Sequence, residues 1–374
     1  MSEVIFTNAD YHYETLKPKL FGMLDVIGGH LIKKESRVLI KPNLLLPAKP
    51  EKAILTHPLV VKAVAEYVLR KGGRPHIADS PALGTFKKIL RDGGYETAFK
   101  GFDIEFKMFT GSVKVDVGKP FGQIDIAKEV FEADVVINLA KLKTHAQMLL
   151  TLGVKNMFGC VVGFKKPEWH FRCGIDRNMF ARLLVQIYHV INPAITIVDG
   201  ILALQGNGPG KSGTPRHLGI LVGGRDATAV DMAICGLLGL DPDKLPTISA
   251  AKKLELVSDT VSYSGDFQKI ENFIFPTMGS LVFGPRRFHR FMRKHMIQRP
   301  VADNRRCKLC GECWQFCPVK AIDRDDTRID FDYNRCIRCY CCIEICPHGA
   351  LHAAKTVPGR LLHKAINTWE RFRS

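Results

Sequence analysis

Cys307-Lys-Leu-Cys310-Gly-Glu-Cys313-Trp-Gln-Phe-Cys317-Pro318 recurs 29 residues later as Cys336-Ile-Arg-Cys339-Tyr-Cys-Cys342-Ile-Glu-Ile-Cys346-Pro347. Both copies read C-x2-C-x2-C-x3-C-P, and two similar halves with a short connector predict a pseudo-twofold unit. Nine of the twelve cysteines lie between Cys307 and Cys346. A disulfide scaffold would spread its cysteines along a small domain, so this clustering points to metal. Three thiolates from one tight loop can reach three irons of a cubane 4Fe-4S core, and the fourth, turned away from that loop, reaches the core of the other half. That reading assigns one cluster to Cys307, Cys310, Cys313 and Cys346, and the other to Cys336, Cys339, Cys342 and Cys317. Zinc sites built from looser C-x2-C pairs do not explain the repeated C-x3-C-P. Cys341 falls outside the pattern and reads as a small residue packed near a cluster. Cys160, Cys173 and Cys235 lack paired spacing and read as buried small residues.

The repeat resembles the bacterial two-cluster 4Fe-4S ferredoxin family over Val301 to Ala354, with both sets of four cysteines complete. The resemblance implies a ferredoxin-like α+β domain whose cofactors are two 4Fe-4S clusters. From Pro300 to Ala354 the module balances eight basic against eight acidic side chains. It is not the acidic shuttle that a free ferredoxin usually is.

Upstream, short apolar runs alternate with helical patterns, the signature of an α/β domain with a mostly parallel sheet. Strands are expected at Arg37-Val-Leu-Ile-Lys41, Asp134-Val-Val-Ile-Asn138, Ile195-Thr-Ile-Val-Asp199 and Leu218-Gly-Ile-Leu-Val222. Helices are expected from Pro58 to Arg70, from Arg177 to Ile191, which stops before Pro193, and from Ala227 to Leu238. The chain thus divides into an α/β domain (1–284), a basic amphipathic linker helix (285–300), the cysteine module (301–354) and a basic amphipathic C-terminal helix (355–374).

Polar groups stand where the strand runs end: Lys41-Pro-Asn43, Asp79-Ser80, Lys141-Leu-Lys-Thr-His145 and Asp199-Gly200. In a doubly wound sheet the carboxyl ends of strands form the ligand crevice, so these residues are expected to converge. Together with Gly153-Val-Lys-Asn-Met-Phe-Gly159 they resemble domain-of-unknown-function family 362 over Val38 to Leu240. Members of that family often carry a C-terminal two-cluster ferredoxin module, the order found here. The family name implies an architecture and no chemistry, so the chemistry rests on the residues. Lys143, His145 and Lys155 are the candidate catalytic residues, since lysine and histidine suit anion binding and proton donation. Lys41 and Lys141 would share their crevice. Gly210-Lys211-Ser212 ends like a phosphate loop, but Gln205 replaces the first glycine and no helix pattern follows. The 205–212 stretch reads instead as a lid over the crevice.

The formal net charge is +17. A basic balance suits acidic proteins, anionic membranes, phosphorylated ligands or nucleic acid. Two basic stripes, around Phe288, Phe291, Met292 and Met296 and around Leu361, Leu362, Ile366 and Trp369, could lie peripherally on an anionic membrane. Nucleic acid is the least supported partner, because no recognised binding module accompanies the charge. An acidic ferredoxin or another redox protein is the expected partner, with a small anionic substrate in the crevice. The first residues lack the basic-then-apolar order of a secretory signal, and no run is long enough to span a membrane, so a cytoplasmic location is expected. Two functions stay open. One is a ferredoxin-coupled reductase acting on a small anionic substrate, although no flavin or nicotinamide fingerprint is visible. The other is a non-enzymatic electron-transfer or docking subunit of a larger redox complex.

Overall fold

The structure is a computed structural model that describes residues 2–162, 165–174, 176–258, 260–276 and 298–356. Both basic stripes therefore lie outside the described residues. Fifteen strands are found among them: β1 (Ser2–Asn8), β2 (Arg37–Lys41), β3 (Arg74–Asp79), β4 (Glu105–Met108), β5 (Ser112–Asp116), β6 (Gln123–Ala127), β7 (Val135–His145), β8 (Leu149–Thr151), β9 (Ile195–Gly206), β10 (Gly213–Gly224), β11 (Val261–Gly265), β12 (Arg299–Ala302), β13 (Ile322–Arg324), β14 (Ile329–Phe331) and β15 (Leu351–Ala354).

Nine of these form one sheet in the order β11-β1-β10-β9-β7-β2-β3-β4, with β8 hairpinned onto β7. The run β9-β7-β2-β3-β4 is parallel throughout, and β10 runs against both of its neighbours. Period-two alternation divides each strand between two faces. Val38 and Ile40 pack with Leu16, Leu20, Val60 and Val64 of the helices Tyr13–Ile27 and Pro58–Arg70. Leu39 turns the other way, onto Leu183, Leu184 and Ile187 of the helix Arg177–Ile191. Helices thus cover both faces, which is why the central strands read as continuous apolar runs.

From β2 the chain winds outward through β3 to β4, and from β7 it winds the opposite way to β9. The strand order reverses between β2 and β7, and such a switch point opens a crevice at the carboxyl ends of the two strands. β7, at 11 residues, is longer than β2, at 5. Its last residues, Lys143 to His145, pair with β8 and project past the end of β2.

The module beyond residue 298 consists of two small antiparallel pairs, β12 with β15 and β13 with β14, and two short helices, Glu312–Gln315 and Cys341–Ile345. Its halves repeat in conformation as well as in sequence. Leu309 and Arg338, each two residues after a first cysteine, are left-handed, and so are Gly311 and Tyr340, four residues after it. These reversals curl each C-x2-C-x2-C segment around its own centre.

Candidate functional site

The ends of β2 and β3 bring a charged pair into the crevice. Lys41 closes β2 and Asp79 closes β3, and the two form a buried ion pair at 2.9 Å. Lys41 Nζ also donates to the Pro42 carbonyl at 2.8 Å and to Asn156 Oδ1 at 3.3 Å. Gly159 lies over this pair, and a Cβ there would come within 2.5 Å of Lys41 Nζ and 2.6 Å of Asp79 Oδ1. That approach accounts for the glycine that ends Gly153-Val-Lys-Asn-Met-Phe-Gly159.

Lys141 stands beside Asp199 in the β7–β9 register and pairs with its carboxylate at 2.7 Å. Tyr11 donates to the other carboxylate oxygen at 2.8 Å, accepts from Lys141 Nζ at 2.8 Å, and stacks on His57 with ring centroids 3.6 Å apart. The four groups form a satisfied buried network behind the crevice. Lys141 therefore does not open into the cavity that the other lysines line.

That cavity, about 380 Å³, lies between the strand ends and the cysteine module. Lys41, Lys143, Lys155 and Lys166 line it, with Asp79 and Glu344 as the carboxylates on its wall. Lys143 Nζ donates to Asn43 Oδ1 at 2.7 Å and to the Ile54 carbonyl at 2.9 Å, and no carboxylate forms an ion pair with it among the described residues. Burial, opposed in part by Glu344, pulls its ammonium down to about 7. Burial also lowers Lys155 and brings Lys166 to about 8. Loosely compensated lysines in a cleft make an anion site that can also release protons near neutral pH.

His145 is placed differently from Lys143 and Lys155. It is fully buried beside the cavity, and its Nδ1 accepts from the backbone N–H groups of Gln147 and Met148 at 3.1 and 3.2 Å. The remaining nitrogen, Nε2, has no hydrogen-bond partner among the described residues and lies 3.8 Å from the Glu344 carboxylate. Burial and the neighbouring lysines hold the imidazole well below its usual range, so it is neutral.

The stretch 205–212 is not a free lid. The amide N–H of Gly208 donates to Thr144 Oγ1 at 3.1 Å, and Ser212 Oγ donates to the Leu351 carbonyl at 2.8 Å. A Cβ on Gly210 would sit 2.6 Å from the Glu344 carbonyl. The loop runs into β10 and clamps the module against the sheet. Ala146, at the β7–β8 turn, joins the module's own apolar cluster with Tyr340 and Ile343. Sequence reading missed Tyr11, Lys166 and Glu344, which carry no motif and become neighbours of the site only through the fold.

Cys307, Cys310, Cys313 and Cys346 line one small cavity with Trp314 and Leu351. Burial, with Cys346, Cys307 and Cys310 crowding it, pushes the Cys313 thiol up to about 12. Cys342 is likewise pushed up by burial, with Cys339, Cys336, Cys313 and Cys317 around it. Crowded thiols of this kind need a cationic core before they can be thiolates together, so the donor sets fit iron-sulfur cubanes. The fourth cysteines match as well: Cys317 Sγ accepts from Ala321 N, and Cys346 Sγ from Ala350 N, each at 3.3 Å. The module turns one set of cysteines toward the cavity, because Phe316 and Cys341, neighbours of Cys317 and Cys342, line its wall. Cys310, of the other set, is exposed.

Comparison with known proteins agrees with both parts. The model of the Domain of unknown function (DUF362) matches residues 38–236, and that of a 4Fe-4S dicluster domain matches residues 299–347. A thylakoid-associated protein of Synechocystis sp. is 40% identical over 254 residues, covering 67% of this chain and 79% of that one. The pyruvate synthase subunit PorD of Methanocaldococcus jannaschii is 41% identical over 56 residues, covering 14% of this chain and 63% of its own length. Among solved structures, the lactate racemase apoprotein from Thermoanaerobacterium thermosaccharolyticum aligns with a TM-score of 0.40 at 13% identity, over 61% of this chain and 55% of that one. That likeness is too loose to bear on the site. With an α/β domain matched over residues 38–236 and a 4Fe-4S electron-transfer module after it, the chain belongs to the family of the Domain of unknown function (DUF362).

Proposed function

We propose that the chain is a ferredoxin-coupled reductase of a small anionic substrate held in the cavity between the strand ends and the module. The observation that carries this reading is the shared wall: Lys143 and Lys155 face the same space as Phe316 and Cys341. When bound, the clusters supply one-electron steps. A two-electron reduction takes two such electrons from an external low-potential donor and two protons. Lys143 and Lys155 bind the anion and hold the protons, and His145 positions Glu344 from behind. Cys307, Cys310, Cys313 and Cys346 hold the outer cluster, nearest a partner, while Cys336, Cys339, Cys342 and Cys317 hold the inner one.

An acidic ferredoxin is the donor that suits this chain, since Arg305, Arg306 and Lys308 are exposed beside Cys307 and Cys310. The reading sets the protein in a reducing cytoplasm, where thiolate-bound clusters persist. A peripheral location on an anionic membrane is supported by the charge of +17 and by the thylakoid-associated relative. No helix among the described residues is long and apolar enough to cross a membrane.

The test is turnover by anaerobic, cluster-loaded protein with a low-potential donor and a panel of carboxylates and phosphate esters. Donor oxidation that depends on one of them supports the reductase. Full cluster content with no substrate-dependent oxidation favours the docking subunit, a reading supported by the matched modules' being subunits of larger enzymes.

A further inference from the structure

The cavity's lysines occupy only part of its wall. Leu44, Leu83, Phe109, Phe158, Phe316 and Ile345 are among the apolar side chains on the rest. The space of about 380 Å³ would hold roughly a dozen waters at ~30 Å³ each, and it falls within the usual range of ligand pockets. An anion as small as acetate would fill little of it and leave the apolar wall wet.

The ammonium groups differ in what they have left to give. Lys41 is fully engaged by Asp79, Pro42 and Asn156. Lys143 spends two N–H groups on Asn43 and Ile54, which leaves one. Lys155 makes no hydrogen bond or ion pair with any described residue, although it is only 8% exposed. Among the described residues no arginine lines the cavity, so its cations there are the point charges of lysines, without the forked geometry that favours phosphate.

We propose that the cavity binds an amphipathic carboxylate, its head between Lys143 and Lys155 and an apolar body of about ring size against Leu83, Phe109, Phe158 and Phe316. This rests on the reading above that the cavity is the working site, and it names the class of substrate. A head group placed there is neutralised by ammonium groups already desolvated by the fold, while the body releases water from the apolar wall.

The experiment is equilibrium binding to the anaerobic, cluster-loaded full chain, with no electron donor present. Phenylacetate, acetate, phenylacetamide and phenyl phosphate are the probes. Phenylacetate is expected to bind at least 30-fold more tightly than acetate and at least tenfold more tightly than the neutral amide. Lys155→Met should erase the preference over the amide, and Leu83→Asp, in a half-buried loop, should erase the preference over acetate. Iron content identifies a variant that has failed to fold, and the four-probe series on the unsubstituted protein decides the matter in any case. Acetate or phenylacetamide binding as tightly as phenylacetate overturns the proposal, and so does tighter binding of phenyl phosphate. The expected binding pattern without any turnover would sink the reductase and leave this assignment standing. Turnover confined to small hydrophilic anions would do the reverse.

Discussion

His145 Nε2 lies 3.8 Å from the carboxylate of Glu344, so the end of the sheet's central strand meets the second cysteine loop of the electron-transfer module. Because Nδ1 accepts two backbone N–H groups, the ring's proton belongs on Nε2, where it faces that carboxylate. His145→Ala should leave the N–H groups of Gln147 and Met148 unpaired and cost about 1–3 kcal/mol. Anaerobic thermal melting and an iron assay on the same sample check this. Turnover should fall while iron content stays unchanged, and loss of iron would show that the histidine supports a cluster instead.

Iron stoichiometry tests the crossed assignment of cysteines. The anaerobic protein should hold about eight irons and eight sulfides per chain. Cys346→Ser should damage the cluster shared with Cys307, Cys310 and Cys313, which lines the same cavity although it lies far away in sequence. Electron paramagnetic resonance of the reduced variant distinguishes the two clusters. Damage confined to the cluster of Cys336, Cys339 and Cys342 would mean that each half ligates on its own.

The cysteine repeat was legible because cluster ligation writes itself as local spacing. The parallel strands were legible because a strand covered on both faces must be apolar along its length. Lys41, Asp79 and Asp199 showed as polar residues abruptly ending such runs. Where each would point was not legible. Lys141 and Lys143 are two residues apart on β7, yet one is absorbed by Asp199 and Tyr11 while the other lines the cavity. The difference depends on which neighbour the register brings alongside. Glu344 is a lone acid in the short helix Cys341–Ile345, and the packing of the module against the β7–β8 turn and the 208–212 loop brings it to the lysines. The edge strand β11 and its neighbour β1 were missed as well, and β11 is half-exposed and carries no apolar run.

Ligand binding should depend on pH with a definite sign. Burial brings Lys143 down to about 7 and Lys166 to about 8, both below the ordinary lysine value. A carboxylate ligand favours their charged forms, so affinity should be greatest below pH 7 and fall by up to about tenfold per pH unit above it for each proton required. Stability of the unliganded protein moves the opposite way. The unfolded chain keeps these protons up to about pH 10, so folding becomes more favourable as pH rises from about 7 toward that value. Titration calorimetry between pH 6 and 9 measures the first effect. In Lys143→Met the part of the slope centred near 7 should vanish, and an unchanged profile would remove Lys143 from the anion site.

Gly159→Ala tests the close approach over the Lys41–Asp79 pair. The added Cβ would lie 2.5 Å from one partner and 2.6 Å from the other, and both are buried. Separating a buried ion pair leaves uncompensated charge and costs about 3–5 kcal/mol. Relaxation of the short turn at Met157–Cys160 should reduce this, so the expected loss is about 2–4 kcal/mol by denaturant unfolding. A loss under about 0.5 kcal/mol would show that the turn moves aside freely.

Electron entry should depend on the basic face beside the outer cysteines. Arg305, Arg306 and Lys308 are exposed there, on the same loop as Cys307 and Cys310. Charge complementarity acts mainly on the rate of encounter, and salt screens it over about 10 Å at 0.1 M. Reversing all three to Glu should slow reduction by an acidic ferredoxin at least tenfold at low ionic strength, and the gap should narrow as salt is added. Stopped-flow absorbance of the clusters follows this directly. Reduction by a small uncharged donor should proceed at the unsubstituted rate, because the clusters themselves are untouched. If ferredoxin reduces the reversed protein equally fast, electrons enter at another face, and the outer position assigned to the Cys307, Cys310, Cys313 and Cys346 cluster would have no part in partner recognition.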